Sequence, residues 1–452
     1  MDRPTRLTVT RETTLPDPLK LERFRHAPQL GPRILFFSGG TALRSVARHL
    51  TGYTHNSIHL ITPFDSGGSS AVLRNAFHMP AVGDVRNRLM ALADQTIQGN
   101  PEIFDLFAHR LDPLAPPEAL QAELASLATG RHRLIRCITD PMRKIIRNHF
   151  HIFTDHMPPG FDLRGASLGN LVLTAGFLSN RRHLDPVIYL FSKLVEVRGT
   201  VRPVTGKYGH LAVRLADGTV ITGQHNFTGK ATAPVSSPIE DIWITEALPD
   251  RQETEASPNQ GAPDIPAPIR PATRSVIRPA IRSKTRQLIG SADLICYPMG
   301  SFYSSLIATL LPAGVGQAVA QSGKPKIFIP NTGTDPELLG HDLGMQVERL
   351  LHHLHASCAA PCKATSPTGE MDEMGEKGDT GTQAPPATAD ADLLSFVLVD
   401  SKNGVYPGTA ASLDRQALAA RGITVLDRQL VSKVSAPYID ETLLNPVLLS
   451  LC

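Results

Sequence analysis

The chain has 452 residues, with 45 Lys and Arg against 42 Asp and Glu and a net charge of +3. So balanced a charge gives no electrostatic footprint for bulk nucleic-acid binding, and no stretch is long and apolar enough to span a bilayer. An apolar share of 41% is ample for a core, and the five scattered cysteines (Cys137, Cys296, Cys358, Cys362, Cys452) argue against a disulfide framework and for a reducing, cytoplasmic setting.

Residues 1–32 read as a polar N-terminal extension. Pro4, Pro16, Pro18 and Pro28 punctuate it, and it lacks the apolar segment of a secretory signal. From Arg33 the chain reads as one α/β domain running to residue 452. Arg33 to Phe37 is a continuous apolar run of the kind a strand buried on both faces requires. Leu43, Val46, Ala47 and Leu50 then mark one face of a helix, and Ser57 to Ile61 is a second strand, completing a βαβ unit. A helical insertion is expected over about 88–166, and another helix after Ser167-Leu168-Gly169-Asn170. Short strands are expected at Val195 to Gly199, Leu211 to Leu215, Val220 to Thr222 and Ile239 to Thr245, with Asp217-Gly218 as a hairpin turn.

Residues 248–279 are rich in Pro, Ala, Glu and Gln and read as a linker. Strands resume at Ala292 to Tyr297 and Lys326 to Ile329. Residues 356–392 are low-complexity and read as a disordered insertion, and Leu394 to Val399 and Ile423 to Leu426 supply the last two strands. The expected fold is a Rossmann-like, mainly parallel sheet with helices on both faces.

The chemistry concentrates in loops between buried strands and helices. Ser38-Gly39-Gly40-Thr41 follows the first strand, where glycines let backbone N–H groups approach an anion and the helix start adds positive potential. Asp65-Ser66-Gly67-Gly68-Ser69-Ser70 follows the second and combines a carboxylate, two glycines and three hydroxyls, a set suited to phosphate, sugar hydroxyls or a magnesium ion on Asp65. Asp84, Arg86 and Asn87 lie within four residues, and Arg86 offers a bidentate fork to phosphate oxygens. Ser167 and Asn170 open a later helix, and Gly300, Ser301 and Ser304 follow the Ala292–Tyr297 strand like the start of an anion-binding helix. Each loop alone also fits an ordinary turn or helix cap, though the density of small polar residues at Asp65 to Ser70 favours function there. Their recurrence at strand ends carries the weight, because open α/β sheets bind ligands there.

These loops, in this order and spacing, together with Pro203-Val204-Thr205, Ala292-Asp293 and Asn331-Thr332, resemble the 2-phospho-L-lactate transferase (CofD-like) family, which includes the YvcK-type gluconeogenesis factors. The likeness runs from about Arg33 to Gln429 and is greatest to the branch associated with an ATP-grasp enzyme in the so-called GAK system. It implies a Rossmann-like core and one of two roles. Transferase members move a phospholactyl group from a guanosine diphosphate-linked donor to a deazaflavin hydroxyl, with magnesium; the other members bind a UDP-sugar and regulate carbon metabolism. Carried over by motif, Gly39, Gly40 and Thr41 would meet the nucleotide, Asp65 the acceptor or metal, Asp84, Arg86 and Asn87 the diphosphate, and Gly300, Ser301 and Ser304 would close the pocket. Asp65 and Arg86 are the candidate catalytic residues. Ser38 stands where the family usually has a further glycine, and Ser66 where a second acid is frequent. An ATP-grasp enzyme is the partner this likeness implies, and a homo-oligomer is allowed.

Other features point to chemistry less well. Arg270, Arg274, Arg278, Arg282 and Arg286 recur every four residues, but Pro271 and Pro279 break the helix that would align them. His352, His353, His355, Cys358 and Cys362 match no standard zinc spacing, and His149 and His151 do not share a helical face.

Overall fold

The apolar runs pair into one parallel sheet. In the computed structural model, which describes residues 12–96, 99–229, 234–246, 276–358, 388–407 and 413–452, the strands are β1 (Ile34–Ser38), β2 (Ile58–Ile61), β3 (Thr200–Pro203), β4 (His210–Leu215), β5 (Val220–Thr222), β6 (Ile239–Thr245), β7 (Val276–Ile277), β8 (Leu294–Tyr297), β9 (Lys326–Phe328), β10 (Phe396–Val399) and β11 (Thr424–Asp427). Seven form the main sheet in the order β11-β10-β9-β8-β1-β2-β3. All its pairings are parallel; Leu35 stands beside Ile58 on one side and Ile295 on the other.

Both faces of this sheet are covered, which is why its strands read as unbroken apolar runs. Leu35 and Phe37 enter the core cluster holding Val315, Val319, Leu350 and Leu354 from the helices Val315–Gln321 and Leu343–Ala356. Ile34 and Phe36 point the opposite way, into a cluster with Val46 and Leu50 of the helix Arg44–Leu50 and Leu444 and Leu448 of the helix Glu441–Ser450. The N-terminal extension is docked on this face. Its helix Pro18–His26 is tied to the last helix by Lys20, whose ammonium donates to the carbonyls of Ser450 (2.8 Å) and Cys452 (2.7 Å).

Helices fill the chain from Gly68 to Leu194, between β2 and β3. They bury a core with Leu124, Ile146, Phe150 and Phe153, where the rings of Phe107 and Phe191 lie with centres 4.2 Å apart, tilted by 31°. The strand expected at Val195–Gly199 begins instead at Thr200. Glu196 has a φ of +47° and Gly199 of +155°, so the preceding residues turn, and Val197 makes only an isolated bridge to Ala93.

The remaining strands form a separate antiparallel sheet, β5-β4-β6-β7. Asp217 and Gly218 make its first hairpin turn: the Asp217 carboxylate accepts the Thr219 N–H at 2.9 Å, and Gly218 takes a φ of +86°. The expected linker and low-complexity insertion lie almost wholly outside the described residues, as do Arg270, Arg274 and Cys362. Among the described residues no helix is long and apolar enough to cross a membrane.

Candidate functional site at the switch point of the sheet

From β1 the chain moves to β2 and β3 on one side, then returns to β8 on the other. The loops after β1 and β8 therefore lead from neighbouring strand ends to opposite faces of the sheet, and the crevice at such a switch point is where these sheets bind ligands.

The floor is the β1 loop. A Cβ on Gly39 would lie 2.8 Å from Thr62 Cγ2, 2.9 Å from Ser305 Oγ and 3.1 Å from Asp84 Oδ2. Only a glycine lets the loop sit against three other segments at once. Gly40 has a φ of +42°, and its N–H donates to Asp84 Oδ2 at 2.7 Å. The sequence led us to expect that amide to be offered to an anion; here a carboxylate takes it. Ser38 is buried and Thr41 is exposed on the rim.

The β2 loop is the second wall. Asp65 Oδ1 accepts the Gly67 N–H at 3.1 Å. Ser66 is held by the antiparallel sheet: its N–H donates to Gln224 Oε1 (3.0 Å), and its Oγ accepts the His225 N–H (3.1 Å) and lies 3.0 Å from His225 Nδ1. Arg74, 1% exposed, braces the loop from the helix Gly68–Phe77 by donating to the carbonyls of Phe64 and Asp65, with its guanidinium 5.2 Å from the Tyr208 ring centre. Tyr208 in turn bonds His210 Nε2 at 2.9 Å, and burial, with Arg74 and His225 nearby, pulls the His210 pKa down to about 4. The loop reaches the next helix at Gly83, where a Cβ would lie 2.2 Å from Ser70 Oγ and 3.6 Å from Asp65 Oδ2.

That helix, Gly83–Leu92, brings Asp84, Arg86 and Asn87 into the crevice wall. Arg86 is 7% exposed. Its Nη1 donates to Ser167 Oγ and its Nη2 to Asn87 Oδ1 at 2.5 Å. Gly169 leaves the room for it, since a Cβ there would lie 2.9 Å from Arg86 Cδ. Burial pulls its pKa down to about 10, with Arg110 and then Arg44 acting the same way and Asp84 opposing them. Asn170 Nδ2 donates to Ser69 Oγ at 3.3 Å, so the helix Leu168–Ser179 and the β2 loop meet at the same point. Arg88, buried two residues on, donates to the Leu43 carbonyl at 2.9 Å and ties this helix to the β1 loop.

The β8 loop differs from expectation. Gly300 takes a φ of +143° and sits 3.6 Å, measured from an added Cβ, from Ala42 Cβ of the β1 loop, so the two loops touch. The helical segment that follows does not offer its first amides to a ligand. The N–H of Phe302 goes to Asp335 Oδ2 (2.9 Å), and those of Tyr303 (2.9 Å) and Ser304 (2.8 Å) go to Glu337 Oε2. Ser304 is 1% exposed and gives its hydroxyl to Glu337 Oε1, so it belongs to the buried support of the loop. Burial, with the Asp335 carboxylate beside it, pushes the Glu337 pKa up. Gly300 and Ser301 remain at the rim, half-buried.

Thr62, Ser305, Asp335, Glu337 and His225 were not singled out as site residues from the sequence. Their positions follow from pairing between distant segments, which no local pattern records.

Magnesium takes oxygen ligands, usually one or two carboxylates with phosphates and water. The Asp65 carboxylate is the donor of that kind in this loop, with the Ser66 hydroxyl on the next residue, the Ser70 hydroxyl near it and the Arg74 charge acting on it. Among the described residues no three His, Cys, Asp or Glu side chains gather to hold a metal, so phosphate and water would complete the shell. His355 Nε2 of the histidine-rich helix is hydrogen-bonded to Asp390 Oδ1 at 2.7 Å.

Known proteins support the same reading of the fold. The pattern of the family described as 2-phospho-L-lactate transferase CofD matches residues 34–431. A gluconeogenesis factor of Bacillus subtilis is 28% identical over 325 residues, covering 72% of this chain and 75% of that protein. A Nostoc sp. protein with a gluconeogenesis-factor name is 29% identical over 73% of this chain, which spans only 52% of that relative. The crystal structure of a Bacillus halodurans member of the UPF0052 family superimposes with a TM-score of 0.57 at 20% identity, covering 93% of this chain and 99% of that one. The loops at the switch point, the seven-stranded order and the match across most of its length place this chain in the 2-phospho-L-lactate transferase CofD family.

Proposed function

We propose that this chain binds a nucleoside-diphosphate-linked ligand in the switch-point crevice and moves a phospho-group from it to an acceptor hydroxyl, as a transferase of the 2-phospho-L-lactate type. One observation carries the reading. Arg86 is a buried cation at the strand ends whose hydrogen bonds go to two neutral groups, Ser167 and Asn87. A buried charge whose hydrogen bonds all go to neutral groups is costly, and an anionic ligand oxygen would add a charge-assisted bond.

In the proposed reaction the acceptor oxygen forms a bond to the distal phosphorus of the diphosphate. The P–O bond to the nucleoside monophosphate breaks, and its electron pair leaves with that monophosphate. The acceptor proton passes to Asp65, and Arg86 holds the charge that develops on the phosphoryl oxygens. Magnesium on Asp65 would neutralise the diphosphate.

A second reading is a UDP-sugar-binding regulator without turnover. The names of the relatives from Bacillus subtilis and Nostoc sp. favour it.

Calorimetric titration with GDP, UDP and UDP-sugars, with and without magnesium, tests both readings. Magnesium-dependent guanine nucleotide binding, followed by release of nucleoside monophosphate seen by phosphorus NMR, supports transfer. Stoichiometric UDP-sugar binding without magnesium and without turnover supports regulation. Absence of binding by every diphosphate overturns both.

A further inference from the structure

Resting on the diphosphate reading, we infer that Arg44 and Arg110 join Arg86 in a three-arginine clasp around the phosphoryl group to be transferred, with Arg110 supplied by the helical region between β2 and β3. The three come from separate parts of the chain. Arg44 is the first residue of the helix after the β1 loop, Arg86 lies in the helix Gly83–Leu92, and Arg110 follows the helix Pro101–Ala108.

Backbone contacts hold them together. Arg110 forms an isolated antiparallel bridge with Ser167: the Leu168 N–H donates to the His109 carbonyl at 3.1 Å, and the Leu111 N–H to the Ala166 carbonyl at 2.9 Å. Ser167 is the residue whose hydroxyl receives Arg86. Arg110 Nη1 also donates to the Gly165 carbonyl (3.0 Å) and reaches Ser69 Oγ (3.4 Å). On the other side, the bond from Arg88 to the Leu43 carbonyl fixes the residue before Arg44 to the helix of Arg86.

Among the described residues none of the three arginines makes an ion pair. Arg44 and Arg110 are exposed, Arg86 is buried, and the charges of Arg110 and Arg44 both act on Arg86. Guanidinium groups close enough to act on one another repel until an anion arrives. A phosphoryl group, with several oxygens to accept forked N–H pairs, answers that arrangement. Ser69, which Arg110 touches, is in the first turn of the helix that follows the Asp65 loop, so the clasp adjoins the acceptor side. The helical region thereby becomes part of the binding site as well as a cover for the sheet.

The test is calorimetric titration of inorganic pyrophosphate into the full chain and into Arg44→Ala, Arg110→Ala and Arg110→Lys. Both alanine changes fall on exposed side chains, and circular dichroism checks that the fold is retained. The wild type is expected to bind pyrophosphate, each alanine variant to weaken it about tenfold, and the lysine variant to recover part of the loss, since it restores charge without the fork. Wild type that ignores pyrophosphate, or alanine variants that bind it as wild type does, overturns the clasp. GDP and UDP titrated in parallel separate the two claims. Arginine-dependent pyrophosphate binding with no gain from the nucleoside leaves the clasp standing and removes the nucleotide. Nucleotide binding that needs Arg86 but neither Arg44 nor Arg110 does the reverse.

Discussion

Replacing Arg86 with methionine separates a ligand-binding arginine from a structural one. Burial pulls the Arg86 pKa down to about 10 from an ordinary 12.5. At 1.36 kcal/mol per pH unit, keeping the group charged in the apo fold costs about 3 kcal/mol. Its hydrogen bonds to Ser167 and Asn87, as bonds from a charged donor, return about 1.5–3 kcal/mol each. Together they return about 3–6 kcal/mol, which offsets that cost and exceeds it by up to about 3 kcal/mol. Methionine keeps the apolar stem that fills the space beside Gly169, though it leaves the Ser167 and Asn87 oxygens without their donor. Urea unfolding of Arg86→Met is therefore expected to show a stability loss of no more than about 3 kcal/mol relative to wild type. Pyrophosphate or nucleotide affinity, by calorimetry on the same samples, should fall about 30-fold or more, because the phosphate loses a charged donor worth about 2 kcal/mol. A stability loss above about 3 kcal/mol, together with affinity within twofold of wild type, would refute the reasoning and make Arg86 a structural strut.

Gly39→Ala puts a methyl group 2.8 Å from Thr62 Cγ2 and 2.9 Å from Ser305 Oγ, so it should destabilise the fold by about 1–3 kcal/mol and weaken ligand binding. Adding Thr62→Ser removes the nearest clash and should recover part of the loss; an unchanged melting temperature in the single variant would contradict the close approach of these loops. His210 has a pKa of about 4 in the fold because of its burial, with Arg74 and His225 adding to the effect. Above pH 6.5 it is neutral in both folded and unfolded chains and has no effect on the balance. As pH falls from 6.5 to 4 the unfolded chain takes up the proton first, so stability is lost over that window. Urea titrations at pH 7.5, 6 and 5 should show a smaller drop for His210→Gln than for wild type, and equal drops would discard the assignment.

The strands and the loops at their ends were legible because burial on both faces leaves a mark within a few residues. Leu35 and Phe37 face one layer and Ile34 and Phe36 the other, and the first apolar run stops at Ser38-Gly39-Gly40. Asp217-Gly218 likewise fixed a turn by its own backbone preference. The order of the strands, and with it the meeting of the β1 and β8 loops across a long stretch of chain, came only from the tertiary structure. The same holds for the partner of each polar group. Gly40 was read correctly as a glycine turn, but its amide meets Asp84, and Ser304 turns inward to Glu337. Arg110 carries no local signal at all; a backbone bridge to Ser167 brings it to the crevice. Hydrophobic periodicity and turn chemistry act between near neighbours, so the sequence alone determined the elements and the composition of the loops. Hydrogen bonds and charges act between groups that folding brings together, so only the packed structure decided which of those loop residues face a ligand and which hold one another.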